Sequence, residues 1–121
     1  MPKPQDIEML LTGMLREELP EGTYVGRVVP TTRRNYMVTV RRQGGPTSRV
    51  IARPRVGFNV WAPTPEEATD LYNTIAALLH DFTTRADNPI KSASVYGMTE
   101  IREETELHQR YFTADVSVRT I

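Results

Sequence analysis

Eight arginines and no acidic residue lie between Gly22 and Pro65: Arg27, Arg33, Arg34, Arg41, Arg42, Arg49, Arg53 and Arg55. A guanidinium is a planar, permanently charged fork that pairs two-pronged with carboxylates or phosphates. The chemistry on offer is therefore anion recognition. The flanks carry the opposite sign: residues 1–21 hold two basic and five acidic groups, residues 66–121 five basic and ten acidic ones. The chain is neutral as a whole and reads acid, base, acid. Neutrality removes long-range repulsion between copies, whereas a polyanion binder more often keeps a positive balance. Three uses of the arginines stay open. They are solvated hairpin ends, they meet the acidic loop of a neighbouring copy (Glu100, Glu103, Glu104 and Glu106), or they meet a nucleic-acid backbone with Tyr36, Trp61 and Tyr111 as stacking platforms.

Other chemistry is poorly supported. With no cysteine, disulfides, thiolate metal sites and thiol nucleophiles are excluded. His80 and His108 have no spaced partner, and a hydrolytic or zinc site needs a further base or ligand. The glutamates at 100–106 lack the Asp/Asn-and-Gly pattern of a calcium loop and read as a solvated acidic loop. Gly44-Gly45 is not followed by the Lys-Ser/Thr of a phosphate loop. No serine sits in a nucleophile elbow. The expectation is a protein that is not an enzyme and uses no cofactor or metal.

The elements that must position the arginines follow from periodicity. Ile7, Leu10, Leu11, Met14 and Leu15 recur at helical spacing, with Asp6 as N-cap and Leu19-Pro20 as the stop. From Thr23 to Ala62 the pattern changes to strands: TYVGRVV up to Pro30, NYMVTVRR with Tyr36, Val38 and Val40 on one face, and Val50 to Ala62 with Val56, Phe58 and Val60 on one face. Pro54 inside the last run predicts an edge, a bulge or a break. Thr64, Pro65 and Glu67 form a capping box that opens a helix with the stripe Ala68, Leu71, Tyr72, Ile75, Leu78, Leu79 and Phe82. Two strands close the chain, SASVYGMTEI and RYFTADVSVRT, the second alternating throughout. The order αβββαββ predicts one α+β domain over residues 1–121. Its sheet is mixed and mainly antiparallel, with both helices on one face. The other face then carries Arg41, Arg53, Arg55, Trp61, Tyr111, Asp115 and Arg119. No run approaches the roughly 18 apolar residues of a membrane span. The opening MPKPQDIEMLL has no signal-peptide core, which predicts an intracellular protein where it is made.

The short helix ending in Leu19-Pro20, the run VTVRRQGG, the segment PRVGFNVWAPTPEEATDLYNTIAALL and the terminal RYFTADVSVRT together resemble the tail terminator (tail-completion, or minor tail) proteins of long-tailed bacteriophages with flexible, non-contractile tails, actinobacterial-phage versions above all. The resemblance covers nearly the whole chain and includes no catalytic motif. It implies a virion protein at the head-proximal end of the tail that forms a hexameric ring. Such a ring caps the tail tube, stops its polymerisation, meets the head-closure or neck connector, and lets genomic DNA pass without sequence-specific binding. The implied partners are further copies of the chain, the major tail (tube) protein and the connector. A head-closure (stopper) protein and a small nucleic-acid-binding regulator are the alternatives. Charge and parity, not the resemblance, nominate the interface residues: Arg33, Arg34, Arg41, Arg42, Arg53 and Arg55 against Glu100, Glu103, Glu104 and Glu106, with Trp61 or Met37 as apolar anchors.

Overall fold

A computed structural model of the chain describes residues 6–32, 34–44, 51–101 and 107–119. The elements are α1 (Ile7–Glu18), β1 (Tyr24–Gly26), β2 (Met37–Gly44), β3 (Ile51–Ala52), β4 (Arg55–Ala62), α2 (Pro65–Thr83), β5 (Ile90–Ile101) and β6 (His108–Arg119). The side chain of Asp6 accepts from the Met9 N–H at 3.1 Å to start α1. Proline 20 holds Leu19 in an extended conformation, so the helix stops there, although the Leu19 N–H still donates to the Leu15 carbonyl at 2.8 Å. In α2 the Thr64 hydroxyl accepts from the Glu67 N–H at 3.1 Å, with Pro65 in the first turn.

Side by side the strands run β1, β2, then β3 and β4 in one line, β6 and β5. Among the described residues only β1 and β2 pair in parallel, and the other pairs are antiparallel. Beta3 and β4 are one strand interrupted at Arg53-Pro54. Ala52 opposes Val118 and Arg55 opposes Asp115, so pairing with β6 resumes in the same register. The Pro54 carbonyl accepts from the Val116 N–H at 3.1 Å, but the proline has no N–H with which to return the second bond of such a pair. Of the three outcomes open for Pro54, the structure takes the break. Beta1 is much shorter than TYVGRVV suggests. The Tyr24 hydroxyl donates to the Val28 carbonyl at 2.7 Å and turns the chain away. A Cβ at Gly26 would run into that tyrosine ring.

Both helices lie on one face of the sheet. Their apolar stripes (Ile7, Leu11 and Leu15; Leu71, Ile75, Leu79 and Phe82) close on Val38, Val40, Val56, Phe58, Val60, Phe112, Ala114, Val116 and Val118. Phe58 and Phe112, opposite each other in register, stack with centroids 5.0 Å apart, and Tyr72 of α2 meets Phe112 edge-on at 4.8 Å. Burying such side chains contributes about 1.5–3 kcal/mol each. Among the described residues no helix is long and apolar enough to cross a membrane.

Candidate functional site

Alternation along β4 and β6 puts every second side chain on the face away from the helices. At one end of that face the expected exposed anchor is absent. Met37 is fully buried and Trp61, its partner in register, is only 3% exposed. Gln109, opposite Trp61 on β6, is buried too, and its amide donates to Asn59 Oδ1 at 2.7 Å. The indole N–H of Trp61 and Oε1 of Gln109 have no hydrogen-bond partner among the described residues. Trp61 and Met37 are thus packing residues rather than surface contacts, because this end of the face is covered.

Further along, the face is open and polar. Gln43 reaches across the strands to donate to the Tyr111 hydroxyl, and Gly57 leaves the space it crosses. Arg55 faces Asp115 in register, with Nε 3.1 Å from Oδ1. Its guanidinium lies 5.8 Å from the Tyr96 ring centroid, and the Tyr96 hydroxyl donates to the same carboxylate oxygen at 3.2 Å. The hydrogen bond to Asp115 is the main reason that the Arg55 guanidinium is held above its ordinary pKa. Beyond this group a shallow hollow of about 260 Å³ is lined by Arg53, Asp115 and the serines 92, 94 and 117. Arg53 and Arg119 are exposed and form no ion pair among the described residues. Arg53 beside the serines of the hollow, with Arg119 exposed two residues beyond Ser117 on the same strand, can grip carboxylates or other oxyanions.

The remaining nominated arginines are placed differently. Arg41, with Arg27, converges on Glu8 of α1 at 3.4 and 3.2 Å, and that carboxylate is only 14% exposed. Arg42 donates to the Gly44 carbonyl at 3.3 Å. Arg34 is exposed. Glu100 is 3.6 Å from the guanidinium of Arg110, a buried side chain of the same chain. Among the described members of the nominated set, Arg41, Arg55 and Glu100 have in-chain partners. Arg33, Arg49, Glu103, Glu104 and Glu106 lie outside the described residues, as does most of the Gly44-Gly45-Pro46 turn.

A second feature was not read from the sequence. Between the end of α1 and the outer side of α2 runs a groove of about 420 Å³, with Leu19, Pro20, Tyr36 and Leu71 in its lining and Glu21, Glu67 and Asp70 among its polar groups. The Tyr36 phenol is held above its ordinary pKa chiefly by its hydrogen bond to the Glu67 carboxylate. Glu21 and Asp70 are exposed and have no ion pair among the described residues. Three separate segments build this groove, so no local pattern could reveal it. No protein-family model matches the chain, and no curated protein matches it.

Proposed function

We propose that the protein is a virion structural protein, a tail terminator that closes into a ring on the last ring of a phage tail tube, stops its growth and presents a face to the head connector. The observation that supports this reading is a pair of oppositely charged sites on two different layers, each without an ion pair among the described residues. Arg53 and Arg119 stand on the open face of the sheet, and Glu21 and Asp70 stand on the helix side. A compact molecule cannot turn both layers toward the same neighbour. Contacts made this way are head-to-tail, and head-to-tail contacts close into rings or run on as filaments. The surface is sufficient: the chain exposes 7231 Å², and two contacts of about 800 Å² each would use roughly a fifth of it.

The ring acts by shape. One side complements the tube, and the other lacks the surface on which a further tube ring could grow. Sequence-independent passage of DNA needs no tight site for it. The test is electron microscopy of the purified protein alone and mixed with purified flexible phage tails. Rings at one end of each tube are expected. Rings bound only to the head-side connector would assign a stopper role instead, and protein that stays solitary in both settings would overturn the proposal.

A further inference from the structure

Taking the self-association reading above as its basis, we infer that the groove between the end of α1 and the outer side of α2 is the seat into which the Arg53 and Arg119 corner of the next copy plugs. The groove has the two properties an arginine requires. Its apolar lining, Leu19, Tyr36 and Leu71, suits the aliphatic stem of the side chain, and Glu21 and Asp70 suit the fork at its end. The Tyr36 ring, 37% exposed, adds a face on which a guanidinium can lie. Neither acidic side chain has a cationic partner among the described residues, whereas Glu8, Glu18, Asp81 and Asp115 all have arginines of their own.

The donor side is selected by the same reasoning. Arg27, Arg41, Arg55, Arg85 and Arg110 each pair with a carboxylate of the same chain. Of the other described arginines, Arg16 donates to the Val25 carbonyl and Arg42 to the Gly44 carbonyl, whereas Arg34, Arg53 and Arg119 are exposed and form no ion pair among the described residues. The plug is assigned to Arg53 and Arg119, the two on the open face of the sheet. They stand on the far layer, so one copy presents its plug on the side opposite its seat. Each copy then offers one seat and one plug, and the contact repeats from copy to copy. The acidic counterpart of the arginines is on this reading the groove, and Glu100 stays with Arg110.

The test is sedimentation velocity of the full-length protein, free and with tail tubes. It compares wild type, a seat variant (Glu21→Lys with Asp70→Lys) and a plug variant (Arg53→Glu with Arg119→Glu). All four positions are exposed and form no ion pair among the described residues, and circular dichroism checks that each variant is folded. Each variant alone should associate at least about tenfold more weakly than wild type. Mixed in equal amounts the two should associate again, because every junction in an alternating assembly regains opposite charges. A seat variant that associates like wild type, or a mixture that fails to recover, overturns the seat assignment. If plug reversal still abolishes association, the ring reading survives that result. Wild type that stays monomeric with and without tubes overturns both.

Discussion

Phe112 sits where β4, β6 and α2 meet, and replacing it with alanine measures how far the helix-covered core holds the molecule together. Its ring is fully buried, stacks on Phe58 with planes 6° apart, and receives the edge of Tyr72 at 75°. Phe→Ala in a packed core costs about 3–5 kcal/mol, the lost transfer energy plus the cavity that remains. The two aromatic contacts place Phe112 in the upper half of that range, since each such pair contributes about 0.5–1.5 kcal/mol beyond its buried area. Against a total of about 5–15 kcal/mol for a domain, this is a large fraction. In thermal unfolding it corresponds to a fall of roughly 10–25 °C. Urea unfolding followed by circular dichroism gives the free energy directly. Tyr72→Phe keeps the edge contact and, with the tyrosine only half-buried, should stay within about 0.5 kcal/mol of wild type. A Phe112→Ala loss below about 1.5 kcal/mol would refute the packing described here, because it would mean that the helix layer does not close on this part of the sheet.

Two smaller predictions address the elements that frame the groove. Thr64→Ala removes the acceptor for the Glu67 N–H and should destabilise the protein by about 1 kcal/mol in urea unfolding, with Thr64→Ser close to wild type. The Tyr36 phenol is raised above its unfolded value near 10 by its hydrogen bond to Glu67. The folded state therefore favours the protonated ring, and this contribution is full below pH about 10 and fades as pH rises through the higher folded value. Tyr36→Phe should remove that alkaline decline, and a Tyr36 absorbance titration should show ionisation displaced upward in wild type and restored to the ordinary range in Glu67→Gln.

Local physics was legible along the chain, and this covers most of the fold. Helix boundaries are decided within a turn, by Asp6, Thr64 and the Leu19-Pro20 step, and each of these behaves as its neighbours require. The period-two alternation of β6 separates Phe112, Ala114, Val116 and Val118 from Thr113, Asp115 and Ser117 before any partner strand is known. Where long-range neighbours decide, the pattern was silent or misleading. Val28 and Val29 look like strand residues, yet the chain turns away after Gly26 and leaves them exposed at 61% and 38%.

The site shows the same division. Composition alone revealed a block of arginines between two acidic flanks, because charge can be counted in order along a chain. Which arginines remain available could not be counted. Arg55 lies 60 residues from the Asp115 that holds it, and Glu8 of the first helix occupies Arg27 and Arg41. Trp61 has the alternation of an exposed residue and is buried all the same. The amino-acid order therefore determined the elements, their apolar faces and the sign of each segment. The tertiary structure decided which charges neutralise one another, which aromatic ring is covered, and that three distant segments form one acidic-edged groove. The physical reason is that capping and periodicity act within a few residues, whereas ion pairing and burial depend on distance through space.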